Sequence, residues 1–565
     1  MLLEKTTMAV KKQDDILKNL PASAADFIKV VIRNMRYRKA VQRDVKNELA
    51  AHFEDELKDC KDEKEKEQRA KQIIEDFGDP KLLGILLRRA KKRCRPLWRT
   101  AVVRSFQAAG ILIICFIAYT VWFLIGKPVI TTDYISEFNR LVRSAADESQ
   151  NAAPYYLKAA GFVKNCPNDV KELTIRDWRW RTYSDFNTED KQKLEKWLSE
   201  SKEVFDLVTA GSKLPFYWEQ YKGNESGELM SIQNPNFPDY LTLVMWMNLR
   251  AEIYAEQGRF EDSFGDLLTC YRFGKHLKGK SFLIESLVGI AFEARSVQTT
   301  RVIISTYQVE PAVLAEYQKG LEELVKNEDF IISPEGERLR MYDEIQRCFT
   351  DDGFLGGHIY PYRLIQLSDE INSVSKGSFS KHKKNELLKA LGISFYVMFN
   401  HPGKQKTRQM VERFYGRMEE LSQKTPAQIH IENIDIDKET LKLTKGNLLL
   451  GMLSPAFKKV FELSYGNRTD VQATIAILAL QRYKQGKGQY PESLDELVTS
   501  GFLKELPVDP YSDKPLVYRK TEIGFTLYSV GKNFIDDGGK MGVDVKGLPR
   551  LWQDNGDNVF WPVQK

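Results

Sequence analysis

The chain lacks the short signatures that mark common catalytic sites. It has no H-E-x-x-H pair to hold zinc on one helix face. It has no G-x-S-x-G elbow to raise a nucleophilic serine above a sheet. Histidine is scarce, with six in 565 residues, and His276, His358, His382, His401 and His430 are too widely spaced to suggest a metal site. Cysteine is equally scarce, and none of the six falls in C-x-x-C or Cys/His zinc spacing. A site built from scattered polar residues survives these exclusions, because it leaves no local pattern. The net charge of +6 is small for this length and does not by itself indicate nucleic acid.

Charge is absent altogether between Arg104 and Lys127. The run SFQAAGILIICFIAYTVWFLIG is 22 residues long. At about 1.5 Å per helical residue it matches the roughly 30 Å hydrocarbon layer of a membrane. Trp98 and Trp122 stand near its two ends, where interfacial aromatics are favoured. A cleaved leader does not fit, since about a hundred charged, helix-forming residues come first. Orientation follows from the flanks. Arg88, Arg89, Lys91, Lys92, Arg93, Arg95, Arg99 and Arg104 precede the run, and only Lys127 follows before Asp133 and Glu137. Positive charge stays in the cytoplasm, so the N-terminus is expected inside and residues from about 130 onward outside. The basic cluster would also hold anionic lipid headgroups.

What is present divides into four parts: a cytoplasmic helical domain at 1–98, the span at 105–126, a helical outer domain at 130–465, and an α+β domain at 466–565. Composition supports folded cores, at 42% hydrophobic and 29% charged residues. The expected class is mainly α. Cys60 and Cys94 fall inside and Cys115 in the span. Cys166, Cys270 and Cys348 fall outside, where three thiols permit at most one disulfide.

In the first part, Val41, Val45, Leu49, Phe53 and Leu57 recur every four residues and form one apolar stripe on a charged helix. Phe77–Pro80, FGDP, ends one helix at Gly78 and opens the next at Pro80. His52 is expected to be packed or half-exposed. RDVKNELAAHFEDEL, a charged helix, then IIEDFGDPKLLGILLRR and a span together resemble the HAAS or permease-prefix signalling domain of bacterial membrane proteins. That resemblance covers about 65 residues and implies an interaction module rather than an enzyme.

In the outer part, Met247, Ala251, Tyr254, Gly258, Ser263 and Leu267 sit at the offsets of a tetratricopeptide-type hairpin, with the turn at Gly258. Gly274-Lys-His-Leu-Lys-Gly279-Lys280-Ser281 matches the P-loop pattern, yet helical sequence precedes it where phosphate binding needs a strand. It is expected to be a helix–helix loop, and no nucleotide partner is expected. Asp351, Asp352 and His358 gather in a glycine-rich loop.

After Gly466 the pattern changes. VQATIAILALQRY is apolar on nearly all sides and is expected to be buried against more than one neighbour. A short helix is expected from Pro491 to Gly501, LPVDPY forms a turn-rich linker, and KPLVYRK and FTLYSVG read as strands. ALQRYKQGKGQYPESLDELV, LPVDPYSDKPLVY, FTLYSVG and DDGG, in that order, resemble the globular domain of the type II secretion major pseudopilin over about 95 residues. The departure is large: a pseudopilin's apolar helix leads straight into this domain, whereas here the span lies some 340 residues upstream. The resemblance implies calcium in the last loop, with Ser529, Asp536, Asp537 and Asp557 as ligands by position. Lys532 stands in that loop and opposes it.

These features give three expectations for function. The first is a non-enzymatic scaffold or adaptor, anchored by one span in a bacterial inner membrane and joining inner and outer interaction domains. The second is an accessory factor of a type II secretion or pilus-like assembly, with secretion components as partners. The third is an enzyme whose site is dispersed through the outer helical domain. No nucleic-acid partner is expected.

Overall fold

The computed structural model describes residues 16–93, 97–143, 147–175, 182–232, 236–326, 332–351, 357–376, 392 and 394–563. Over these residues the chain is mainly helical, with a small strand-bearing part near its C-terminal end. It divides into two compact units, Met1–Val121 and Trp122–Lys565.

The first unit is built from α1 (Ala22–Met35), α2 (Lys39–Glu56), α3 (Glu63–Phe77) and α4 (Pro80–Arg93). Each boundary has a local cause. The Asp62 carboxylate accepts from the Glu65 amide at 2.7 Å, which satisfies one unpaired donor of α3, and Glu65 accepts in return from the Lys61 amide just ahead of the helix at 2.9 Å. Gly78 ends α3 at φ +72°, and Pro80 opens α4. The stripe on α2 is buried at Val45, Leu49 and Phe53. It packs with Phe27, Ile28 and Val31 of α1 and Ile73 of α3. His52 is exposed at the edge of the Phe77 ring.

Helix α5 (Leu97–Ile125) holds the segment Ala101–Phe123, which has a mean hydropathy of 2.0, is unburied through its apolar window, and is long and apolar enough to cross a membrane.

In the second unit, α6 (Phe237–Glu256) and α7 (Phe260–Leu277) form the hairpin expected around Gly258, which has φ +75°. Ala251 and Ser263 lie where the two helices cross, and the Ser263 hydroxyl donates to the Ala251 carbonyl at 2.7 Å. Arg250 grips Asp266 with two bonds of 2.7 and 2.6 Å across the same seam. Next comes α8 (Leu283–Thr306), buried over most of its surface. It carries Glu285, Glu293, Arg295 and Arg301 into the interior, and α9 (Pro311–Val325) follows. Unpaired charges would be prohibitive there, and three of these four form ion pairs: Glu293 with Lys278, Arg295 with Glu252, and Arg301 with Asp470.

Further along come α10 (Glu335–Cys348), α11 (Lys404–Ser422) and α12 (Phe457–Lys487), of which α12 reaches the site described below. VQATIAILALQRY lies within α12, and its apolar residues join a core with α8, α9 and the final strands. The boundary expected between 465 and 466 falls inside α12, so the two expected parts share one helix and one core.

The strands are short. β1 (Val508–Asp509) pairs antiparallel with β2 (Lys514–Pro515). β3 (Val517–Lys520), β4 (Phe525–Ser529) and β5 (Asn558–Trp561) form an antiparallel sheet in that order, with an irregularity at Leu527/Tyr528. The helix expected from Pro491 begins only at Asp495. The Pro491 carbonyl instead accepts from the Tyr518 hydroxyl at 2.7 Å.

Candidate functional site

The second unit holds a cavity of about 680 Å³, a size typical of small-molecule sites. Most of its lining comes from the segment Ser212–Tyr221 and from the end of α7 with the turn into α8, and Asn467 of α12 adds to it. Two buried or half-buried asparagines hold the first wall in place. Asn151 donates to the Trp218 carbonyl at 2.8 Å and accepts from its amide at 3.0 Å. Asn139 does the same for Tyr221, at 3.0 and 2.8 Å. Each side-chain amide thus acts as a substitute strand edge, and the wall is ordered without regular structure.

The second wall comes from the P-loop-like sequence, in a different role. Gly274 to Leu277 are the last turn of α7, and helix rather than strand precedes them. A nucleotide cradle of the P-loop kind is not formed. The sequence instead delivers cations: Arg272, Lys275, Lys278 and Lys280 line the cavity, and Lys213 joins them from the facing wall. Lys278 is neutralised by Glu293 at 2.7 Å. Lys275 donates to the Leu324 carbonyl and forms no ion pair among the described residues. Arg272 is half-buried, and loss of solvation holds its guanidinium below the ordinary value.

The acidic member is Glu285, almost fully buried. It accepts from the Tyr221 hydroxyl at 2.6 Å, and burial pushes its carboxyl up to about 7. His276 is a structural histidine. Its Nε2 donates to the Leu214 carbonyl at 2.9 Å, its Nδ1 accepts from the Tyr156 hydroxyl at 2.8 Å, and burial lowers it to about 4.

Three buried polar atoms in the lining have no hydrogen-bond partner among the described residues: Ser286 Oγ, Asn467 Oδ1 and Trp218 Nε1. The Asn467 orientation is forced. A carboxylate can only accept, so the amide nitrogen faces Glu293, at 2.5 Å, and the oxygen is left over.

The residues singled out from sequence fall elsewhere. Ser529 donates to Asp509 at 2.9 Å. Asp509 is itself buried and also accepts from the Val530 and Tyr511 amides, which makes the LPVDPY segment a structural hub. Asp557 is buried and accepts from the Asp537 and Gly539 amides at 3.2 and 2.7 Å. Asp536 accepts from the Tyr528 hydroxyl and pairs with Arg519. Asp537 accepts from Asn533 at 2.7 Å. The three aspartates are close enough for Asp536 and Asp537 to add to the upward push of burial on Asp557. Each is nevertheless engaged by protein donors, and Ser529 is committed to Asp509. Among the described residues no group of three or more His, Cys, Asp and Glu is placed to hold a metal ion.

His358 packs against Phe123 and Trp122, and its Nε2 donates to the Phe123 carbonyl at 2.8 Å. Asp351 pairs with Lys404 at 3.3 Å. Asp352, His382 and Cys94 lie outside the described residues. Cys166, Cys270 and Cys348 are buried free thiols.

Pattern reading missed Trp218, Glu285, Ser286 and Asn467. The one usable signal was the recurrence of Arg272, Lys275 and Lys278 at helical spacing, on a segment followed by the apolar LIESLVGIAF. No known protein family, curated protein or solved structure matches the chain.

Proposed function

We propose that the chain is a single-pass protein of a bacterial inner membrane, with its N-terminal helical bundle in the cytoplasm. Its large helical body lies on the other side and works as a non-enzymatic binding scaffold or adaptor. The observation that carries this reading is the stretch from Ser105 to Gly126, free of charge over 22 residues and unburied through its apolar window, beside a basic stretch on its N-terminal side. A core helix of a soluble protein would be covered by its own chain, and a bilayer supplies that cover here. The four-helix first unit is compatible with a HAAS-like signalling role, and the α6–α7 hairpin with a tetratricopeptide-like contribution to binding.

Pilus assembly finds less support. The helix that would take part, α12, is buried within its own body. An enzymatic reading is favoured by one feature, the Glu285 carboxyl raised to about 7 beside a cavity, as a general acid or base requires. The other charged side chains of the lining are cations, which suits the holding of an anion, and binding is the reading preferred here.

The test is a crosslinked pull-down of the full-length chain from membranes, followed by mass spectrometry. Envelope and cytoplasmic partners without secretion components are the expected result. Recovery of pseudopilins or other secretion components would move the chain into that machinery.

A further inference from the structure

We infer that the cavity between Ser212–Tyr221 and the α7–α8 turn binds a small organic anion that also carries hydroxyl or amine groups. The inference names the ligand class of the binding body proposed above and rests on that reading.

Charge gives the first half. Five cations line the cavity, Lys213, Arg272, Lys275, Lys278 and Lys280, against one carboxyl, Glu285. Only Lys278 forms an ion pair among the described residues, with Glu293. A concave surface of one sign with low-dielectric walls concentrates the opposite charge, so a carboxylate or phosphate group is drawn in.

The unpartnered atoms give the second half. Ser286 is 1% exposed and Asn467 6%, and each brings to the lining one buried polar atom that has no partner among the described residues. Leaving such atoms unmatched costs free energy that a ligand group can recover. Asn467 Oδ1 is an acceptor, and a fully ionised carboxylate or phosphate has only acceptors to offer it. A hydroxyl or amine elsewhere on the same molecule supplies the missing donor. Ser286 Oγ can donate to the anionic group or accept from the hydroxyl. The rings of Tyr217 and Trp218 add flat apolar faces, which suit the carbon skeleton of a sugar acid or sugar phosphate better than a bare ion.

The wall is already ordered. Asn151 and Asn139 fix the backbone of Trp218 and Tyr221, so little conformational entropy is lost on binding.

The test is calorimetric titration of the full-length chain in detergent with glucuronate, glucose 6-phosphate, glucose and inorganic phosphate. Glucuronate or glucose 6-phosphate is expected to bind with Kd below about 1 mM. Glucose and inorganic phosphate are each expected to bind at least about tenfold more weakly, since each supplies half of what the cavity asks for. Arg272→Gln and Lys280→Gln should each weaken binding about tenfold, with the melting temperature unchanged. Ser286→Ala should weaken binding without lowering stability, because it removes a hydroxyl that the empty protein does not satisfy. Equal binding of glucose, unaltered affinity in Arg272→Gln, or no binding of either organic anion would overturn the inference. Partners recovered by pull-down alongside an inert cavity would leave the scaffold reading standing and remove this inference alone. Chemical turnover of a bound anion would instead remove the non-enzymatic reading.

Discussion

Gly274 and Gly289 meet where α7 crosses α8: a Cβ on Gly274 would stand 2.5 Å from the Gly289 carbonyl oxygen. The first glycine of the P-loop-like sequence is therefore a packing residue, selected by backbone contact and not by phosphate. The second, Gly279, has open space around its Cβ position and no positive φ.

The two glycines should respond differently to the same change. Gly274→Ala forces the helices apart or bends the backbone, at a cost of about 1–3 kcal/mol. Gly279→Ala should stay within about 0.5 kcal/mol of wild type. Urea unfolding of the two variants measures both. Equal, large effects would mean that Gly279 has a conformational role the packing does not show.

Asp470 and Arg301 link α12 to α8 by a buried pair at 3.0 Å, and the Trp552 indole donates to Asp470 at the same distance. Asp470→Ala strands the guanidinium in the interior and should cost about 3–5 kcal/mol. Because this pair and the shared core cross the boundary expected at 465/466, calorimetry should show residues 122–565 melting in one transition. Two separated transitions would restore an independent C-terminal domain.

Glu285 makes stability depend on pH. Its carboxyl sits at about 7 in the folded chain against 4.5 as the ordinary value, so the folded state holds the extra proton between those limits. Its contribution is thus present below about pH 4.5 and lost as pH rises through about 7. Glu285→Gln keeps an acceptor for Tyr221 without the charge. The difference in stability between wild type and variant should move by on the order of 3 kcal/mol from pH 4.5 to 8. Buried His276, lowered to about 4, contributes stability that is present above about 6.5 and lost as pH falls through about 4. Comparing the two proteins at each pH cancels its effect. A constant difference would place Glu285 in water.

Calcium should leave the melting temperature of the full-length chain within about 2 °C of its value in chelator, because the carboxylates of Asp536, Asp537 and Asp557 are already engaged by protein donors. Asp557 is held by two backbone amides and Asp536 by Arg519, and neither needs a metal to be satisfied. A rise of more than about 5 °C would show that the loop rearranges into a calcium shell.

Local features were readable and distant ones were not. Gly78, Pro80 and Gly258 act within a few residues of themselves, so turn chemistry alone located the end of α3, the start of α4 and the turn of the α6–α7 hairpin. The uniform apolarity of α12 announced its burial correctly. Its neighbours could not be named, and a boundary was set where the helix runs on. The cavity was invisible for the same reason. Asn467 is fixed by Glu293 and Trp218 by Asn151, pairs 174 and 67 residues apart in the chain. Asp509 shows the opposite error: a turn-forming sequence concealed a buried carboxylate that three donors converge on.

Membrane topology is the central claim, and cysteine labelling tests it most directly. Lys58→Cys and Lys546→Cys, both at exposed positions, would be treated with a membrane-impermeant maleimide in intact cells and compared with the parent chain. The account predicts that Lys546→Cys reacts at once and Lys58→Cys only after permeabilisation, in protein that resists extraction from membranes by alkaline carbonate. Reaction of Lys58→Cys in intact cells, or release of the chain by carbonate, would contradict it.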